Sequence, residues 1–316
     1  MQGTVLKTMG QTYNVLTESG EVVLCTLKGL MRTKNVSTTN PVVVGDHVEF
    51  MPSPPDDHVI SAVKTRKNYI IRQSKKLSKQ FQIIAANIDQ VFILVTISQP
   101  TTHNTFVDRI LTTAEAYGIE AHLIFNKIDA FDEEELEDLA ERMAVYENIG
   151  YDCMAVSLLN DDSTAALEKL CKGKVTLLCG MSGTGKSTFI NRLIPGMNRK
   201  TGIISDAHQK GTHITTFSEM IPLPIGGFII DTPGIQEFGI ADITKYELSQ
   251  YFREMNHYRA NCKFNSCMHI NEPGCAVIKA VEEGEIALSR YESYLSMYLN
   301  EASEEKRYKK NEKPHS

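Results

Sequence analysis

The sequence predicts a multidomain α+β chain: a small N-terminal β-barrel, a central α/β domain, and a helical C-terminal region stapled by a metal. Three observations predict it. Short β-rich runs separated by turn residues fill the first 66 positions. Apolar strands then alternate with helical spacing from Asp89 to about Leu193, the pattern of a mostly parallel sheet covered on both faces. Three cysteines and a histidine crowd into Cys262–Cys275 near the end of the chain.

The first module reads as Thr4-Val5-Leu6, Tyr13 to Leu16, Glu21 to Cys25, Val42 to Val44, His47 to Met51 and Ile60 to Val63. Strands this short and evenly spaced, within about 65 residues, fit a five-stranded OB-fold, an architecture that often binds oligonucleotides. A purely structural β-module is the competing reading. From Lys64 to Lys79 the chain carries Lys64, Arg66, Lys67, Arg72, Lys75, Lys76 and Lys79 with no acid. That stretch reads as a basic linker or an RNA-facing arm, although basic runs are usually solvated faces.

In the central region, Asp89 to Ile97 reads as a buried strand, and Phe106 to Tyr117 as a helix ending at Gly118. Ala121 to Phe125 is the next strand. Asp132 to Ile149 is an amphipathic helix with an acidic face, stopped by Gly150. Tyr151 to Val156 is a strand, Ser163 to Leu170 a short helix, and Val175 to Cys179 another strand. The expected divisions are 1–66, an OB-fold RNA-binding domain; 67–80, a basic linker; 81–245, the α/β domain; and 246–316, the metal-binding domain.

Composition is ordinary for a globular chain, at 42% hydrophobic and 23% charged over 316 residues. The net charge of −6 does not advertise nucleic-acid binding. No apolar run approaches the roughly 20 residues of a membrane span, and the start lacks a signal-peptide pattern. The expected setting is cytoplasmic, with no membrane partner. Seven cysteines, an odd number, argue for thiols and a metal rather than disulfides.

Gly180-Met181-Ser182-Gly183-Thr184-Gly185-Lys186-Ser187 stands between the strand Val175–Cys179 and a helix beginning at Thr188. Strand, GxxxxGKS and helix make a phosphate-binding loop. Its glycines let successive N–H groups face phosphate oxygens, and the helix N-terminus adds partial positive charge. Lys186 reaches the β- and γ-phosphates, and the Ser187 hydroxyl sits on Mg²⁺. Thr188 completes the phosphate-facing set.

Asn126-Lys127-Ile128-Asp129 ends the strand Ala121–Phe125. The pattern NKxD selects guanine, because a carboxylate at Asp129 accepts from the N1–H and N2–H₂ edge that adenine lacks. Asn126 and Lys127 brace the pocket, the lysine stem packing on the base plane. Ser157, in Ala155-Val156-Ser157 at the next strand end, offers a backbone contact to the guanine O6; an ordinary strand end is the equal alternative. Asp231-Thr232-Pro233-Gly234 is a DxxG element, with Asp231 holding Mg²⁺ through water and the Gly234 N–H sensing the γ-phosphate. Between them lies Gly211-Thr212-His213-Ile214-Thr215-Thr216, a candidate switch or simply the start of the strand Thr216–Ile221.

These elements run NKxD, Val-Ser, phosphate loop, Thr-Thr, DTPG, a circular permutation of the usual GTPase order. The sheet tolerates it because the pocket depends on where strand ends lie. Cys262, Cys267, His269 and Cys275 form C-x₄-C-x-H-x₅-C, a closed tetrahedral Zn²⁺ set of the structural kind; His257 is a lesser candidate.

On the permuted order, GMSGTGKS, DTPG followed by Ile235-Gln236-Glu237-Phe238, and Cys262 to Cys275 with Glu272-Pro273-Gly274-Cys275, the sequence resembles the ribosome small-subunit-dependent GTPase family, known as RsgA or YjeQ/YloQ. The resemblance spans nearly the whole chain. It implies an OB-fold, GTP hydrolysis to GDP stimulated by the small ribosomal subunit, a role late in maturation of that subunit, and rRNA contact by the barrel and zinc domains of a monomer. The family loop usually carries Val where Thr184 stands, and its switch commonly reads Arg-His-Thr-Thr-Thr. Thr215 is the candidate Mg²⁺ ligand and Thr216 the alternative. Ile235 replaces the water-orienting glutamine of Ras-like enzymes. Slow intrinsic turnover follows, with Lys186 as a catalytic residue and, by resemblance, His213 orienting water or else merely bracing its loop.

Overall fold

A computed structural model describes residues 1–27, 41–53, 57–73, 81–197, 218–231 and 243–311. The N-terminal module is a closed barrel of five strands: β1 (Gln2–Met9), β2 (Thr12–Thr17), β3 (Val22–Leu27), β4 (His47–Ser53) and β5 (Asp57–Val63). The order β1-β2-β3-β5-β4 is closed by the β1–β4 pair. Alternation in the sequence sets the inside. Along β2, Tyr13, Val15 and Thr17 are buried and their neighbours are not; Val5, Cys25, Val48, Phe50 and Ile60 complete that core. Val42–Val44, expected as a strand, are buried but form none; Val44 makes one isolated bridge to Ala85. The turn that follows needs Gly45. It sits at φ 87°, and a Cβ there would lie 2.1 Å from the Ala86 carbonyl oxygen.

Several cations of the basic stretch meet partners within the chain. Arg66 grips buried Asp46 through Nε and Nη2, at 2.6 and 2.7 Å. Lys67 pairs with Asp89 at 2.9 Å, and Lys64 donates to Gln2. β6 (Tyr69–Gln73) follows within the stretch and pairs antiparallel with β7 (Phe81–Ala86). These cations are absorbed by acceptors far away in sequence, which a charge count does not reveal. Lys75, Lys76 and Lys79 lie outside the described residues.

The central sheet takes β8 (Gln90–Val95), β9 (Glu120–Asn126), β10 (Asp152–Val156), β11 (Val175–Gly180) and β13 (Phe228–Asp231) in the order β10-β9-β8-β11-β13, all parallel. Every residue of β8 is buried, as a central strand covered on both faces requires. β12 (Glu219–Pro222) is antiparallel to β13 and pairs on its other side with β1, so barrel and central domain share one eleven-stranded sheet. The helices are α1 (Asn104–Tyr117), α2 (Glu133–Ile149), α3 (Asp161–Cys171) and α4 (Lys186–Leu193). α1 and α2 end on Gly118 and Gly150 in left-handed backbone, and α2 opens with a capping box of Asp132 and Glu135.

The C-terminal module packs α5 (Arg253–Tyr258), α6 (Ala276–Glu282) and α7 (Leu288–Asn311) around Leu248, Phe252, Met255, Val277, Ile286, Tyr294 and Met297. It docks on α1 through a buried ionic network. Arg290, 1% exposed, reaches Asp108 on α1 at 2.5 Å and Glu254 on α5 at 2.7 and 3.2 Å. Among the described residues no helix is long and apolar enough to cross a membrane.

Candidate nucleotide site and metal centre

Parallel strands bring the sequence motifs to one edge. Asn126 closes β9, Val156 closes β10, Gly180 closes β11 and Asp231 closes β13, the carboxyl edge where open α/β sheets take ligands. The loop after β11 uses its glycines as the spacing requires: Gly180, Gly183 and Gly185 stand at φ 155°, 85° and 107°. Ser182 and Gly183 form an exposed tip, and Ser187 and Thr188 sit half-buried in the first turn of α4. Lys186 folds back over the loop, its Nζ donating to the carbonyls of Gly180 and Met181 at 2.7 Å each. Burial lowers its pKa against the pull of Asp231. A half-buried ammonium inside a ring of loop backbone is an anion-binding arrangement. Thr184 is fully buried and donates through Oγ1 to Met181 O at 2.9 Å. Its hydroxyl thus closes the loop on itself.

Asn126 ties three strand ends together. Its Nδ2 donates to Thr184 O at 2.9 Å, and its Oδ1 accepts from the Leu158 N–H at 3.1 Å. The contact is close enough to demand glycine: a Cβ on Gly185 would lie 2.4 Å from Asn126 Nδ2. Lys127 takes left-handed backbone, φ 74°, and its Nζ donates to Gln99 O at 2.5 Å. Asp129 projects from a short 3₁₀ turn, Ile128–Ala130, exposed and without a partner among the described residues. An exposed, unpaired carboxylate at that edge has its acceptors open to a donor pair. Ser157 is buried, with Oγ accepting from the Leu159 N–H at 3.3 Å and its carbonyl accepting from Asn160. Asp231 lies half-buried beside Lys186. His213, Thr215, Thr216 and Gly234 lie outside the described residues. Sequence reasoning missed the neighbouring segment 96–102, which touches both Lys127 and the phosphate loop. Its one sequence signal is Pro100 directly beyond a buried strand.

The second site is on the C-terminal module. Cys262, Cys267, His269 and Cys275 converge with their donor atoms within 4.8 Å of one another. Cys262 Sγ lies 3.9 Å from Cys275 Sγ and 3.6 Å from His269 Nδ1, which is 3.3 Å from Cys275 Sγ. Tetrahedral bonds of about 2.3 Å to sulfur and 2.0–2.1 Å to nitrogen imply donor separations of about 3.5–3.8 Å, so the set fits a closed metal centre. Burial raises the Cys267 thiol to about 12 and the Cys275 thiol in the same direction. Thiols so raised need a bound cation to stand as thiolates. A second layer holds the donors. Glu272 accepts from the N–H groups of Met268, Ile270 and Asn271, while Tyr294 and Tyr291 donate to the carbonyls of Met268 and His269. His257 is not among the clustered donors.

Comparison with known proteins agrees with this geometry. The family model described as RsgA GTPase matches residues 63–241, and the RsgA N-terminal domain model matches residues 2–60. The chain is 49% identical over 309 residues to the small ribosomal subunit biogenesis GTPase RsgA of Bacteroides fragilis, covering 98% of this chain and 99% of that protein. It is 48% identical to the protein of the same name from Phocaeicola vulgatus, with the same coverage. Among solved structures, YjeQ from Thermotoga maritima superposes with a TM-score of 0.77 at 33% identity, over 95% of this chain and 98% of that one. YloQ, a circularly permuted GTPase, gives 0.71 at 28% identity, over 100% and 96%. With motifs at the expected strand ends and matches running nearly end to end, this chain belongs to the RsgA family of circularly permuted GTPases.

Proposed function

We propose that this protein binds the small ribosomal subunit, hydrolyses GTP to GDP and phosphate late in maturation of the 30S particle, and leaves after hydrolysis. One observation carries the nucleotide half of this reading: Asn126 joins the guanine-selecting motif to the phosphate loop by a direct hydrogen bond to Thr184 O. Base and phosphate sites are thereby one rigid pocket. The names of the relatives at 48–49% identity support the ribosomal half.

In this pocket Asp129 accepts from the guanine edge, Lys127 packs its stem on the base, and Ser157 contributes backbone to O6. Gly180, Met181, Ser182, Gly183, Thr184, Gly185, Lys186, Ser187 and Thr188 surround the phosphates, and Gly234 senses the γ-phosphate. Mg²⁺, when bound, screens the charge of the β- and γ-phosphates, with Ser187, Thr215 and Asp231 as its protein partners. Lys186 stabilises charge developing on the transferred phosphoryl group, the main route to acceleration in this chemistry. Ile235 cannot orient water, so turnover is slow until the particle docks. His213 orients the nucleophile in the completed site. One structural Zn²⁺ per monomer is held by Cys262, Cys267, His269 and Cys275. The working units are 1–66, 67–80, 81–245 and 246–316, with the barrel and the zinc domain on rRNA, in a cytoplasmic monomer.

The test is turnover of GTP, with ATP as control, at increasing concentrations of purified small subunits. Strong stimulation of GTP hydrolysis alone is expected. Equal rates with and without subunits would leave a GTP-controlled binding factor in which hydrolysis is incidental. Equal use of ATP would overturn the pocket assignment.

A further inference from the structure

Segment 96–102 connects β8 to α1 and belongs to none of the nucleotide-binding motifs, yet it touches two of them. Gln99 O accepts from Lys127 Nζ at 2.5 Å. Pro100 lies against the tip of the phosphate loop, where a Cβ on Gly183 would stand 3.3 Å from Pro100 Cδ. Gln99 and Lys127 are also two of four described non-glycine residues in left-handed backbone, at φ 45° and 74°. A third, His269, is a metal-site donor. Such backbone is costly for a side-chain-bearing residue and persists where its surroundings over-determine it, often at functional sites.

The surroundings here are two fully buried threonines. Thr96 Oγ1 donates to Pro100 O at 2.5 Å. Thr102 Oγ1 accepts from the Thr96 N–H at 3.1 Å, and the Thr102 N–H donates to Thr96 O at 2.9 Å. Arg142 of α2 donates to Thr102 O at 3.0 Å, anchoring the far side. Between the threonines Ile97 is buried with them, while Ser98, Gln99, Pro100 and Thr101 are exposed or half-buried. A short surface loop is therefore pinned from beneath, with its outward carbonyl on Lys127.

We propose that Thr96 and Thr102 are positioning residues for the guanine nucleotide. They fix Gln99 O so that it holds the Lys127 ammonium, and with it the stem that covers the base, before ligand arrives. A free lysine side chain loses much rotamer freedom on being ordered, and anchoring it beforehand transfers that cost from binding to folding. The inference rests on the guanine-pocket reading given above.

The test measures dissociation constants for a fluorescent GDP analogue, with the ADP counterpart, on the full-length protein. Thr96→Val removes one hydroxyl at constant shape, and loss of one hydrogen bond predicts about five- to tenfold weaker GDP binding. Thr96→Ser, which keeps the hydroxyl, stays within about twofold of the parent. In a Lys127→Met background, Thr96→Val adds less than about twofold, because the side chain through which it acts is gone. Gln99→Gly serves if Thr96→Val does not fold. It relaxes the left-handed turn, so the melting temperature holds or rises while GDP binding weakens, a combination that a merely structural loop does not give. Unchanged GDP affinity in Thr96→Val, or full additivity with Lys127→Met, overturns the proposal. A parent protein that binds ADP as well as GDP overturns the pocket reading and this inference together; a parent selective for GDP isolates the failure to the loop.

Discussion

Replacing Arg290 by Met removes the charge that joins the C-terminal module to the central domain while keeping most of the side-chain volume. Three charge-assisted hydrogen bonds disappear, one to Asp108 and two to Glu254. Each is worth about 1.5–3 kcal/mol when made, but freeing the guanidinium from burial returns several kcal/mol. What decides the balance is what stays behind. Asp108 is completely buried and keeps only Tyr146 Oη, at 2.9 Å, and Ser293. Burial already raises the Asp108 pKa against the pull of Arg290, so the variant drives it to take up a proton. Glu254 loses both partners with its side chain 8% exposed. Breaking a buried pair by removing one member costs about 3–5 kcal/mol, and that is the expected loss. The chain has no tryptophan and twelve tyrosines, several of them at this junction. Urea unfolding followed by near-UV circular dichroism, with hydrogen exchange localised to α1 and α7, reads the change. Adding Asp108→Asn to Arg290→Met should restore at least about 1 kcal/mol, since the orphaned charge is the penalty. A loss below about 1 kcal/mol for Arg290→Met would refute the reasoning, as would an Asp108→Asn cost that is the same in both backgrounds.

Gly45→Ala places a Cβ against the Ala86 carbonyl in left-handed backbone, and a loss of about 3 kcal/mol or more is expected in urea titrations of the barrel. Cys275→Ser removes a metal donor and the cap of α6, where Cys275 Sγ accepts from the Ile278 N–H; metal affinity should fall at least about 100-fold by competitive chelation. His122 is buried between Glu120 and Asp152, and burial lowers its pKa below 6.5 despite both carboxylates. The unfolded chain then binds more protons than the folded one below pH 6.5, so stability falls as pH drops from there towards the folded value. His122→Gln should flatten that part of the stability–pH curve, and NMR titration of the imidazole fixes the folded value.

The nucleotide motifs were legible because each is local. A strand, a tight turn and a helix start occupy one short window, and the turn's glycines, lysine and serine carry their conformational reason with them. Both helix stops, Gly118 and Gly150, were readable for the same reason. Long-range pairing was not. Within the basic run, Arg66 looks like part of a solvated cationic face until its partner Asp46 is found 20 residues before it in sequence. Asp108 and Arg290 stand 182 residues apart, each an unremarked charge in a helix. Val42–Val44 show the opposite error: β-branched residues signal burial, and here burial came without a ladder. Thr96 and Thr102 gave no signal, because buried threonines usually satisfy themselves on nearby backbone.

Chain order gives the two candidate switch stretches short routes outward. Gly211 to Thr216 precede β12 in the chain, and β12 pairs with β1 of the barrel and carries the Lys7–Glu219 ion pair at 3.2 Å across that seam. Asp231-Thr232-Pro233-Gly234 precedes, in sequence, Ile243, which is buried in the C-terminal core. In an unpermuted GTPase the DxxG element is followed by the base-recognition half of the same domain. Here that half has been moved ahead of the phosphate loop, and the chain leaves the domain instead. A nucleotide shifts an equilibrium only by the difference in its contacts with two states. With β12 paired to the barrel strand β1 and Ile243 buried in the C-terminal core, the chain on both sides of the β12–β13 pair leads to a flanking module. The rearrangement keeps the motifs at one edge of the sheet and changes what that edge is connected to.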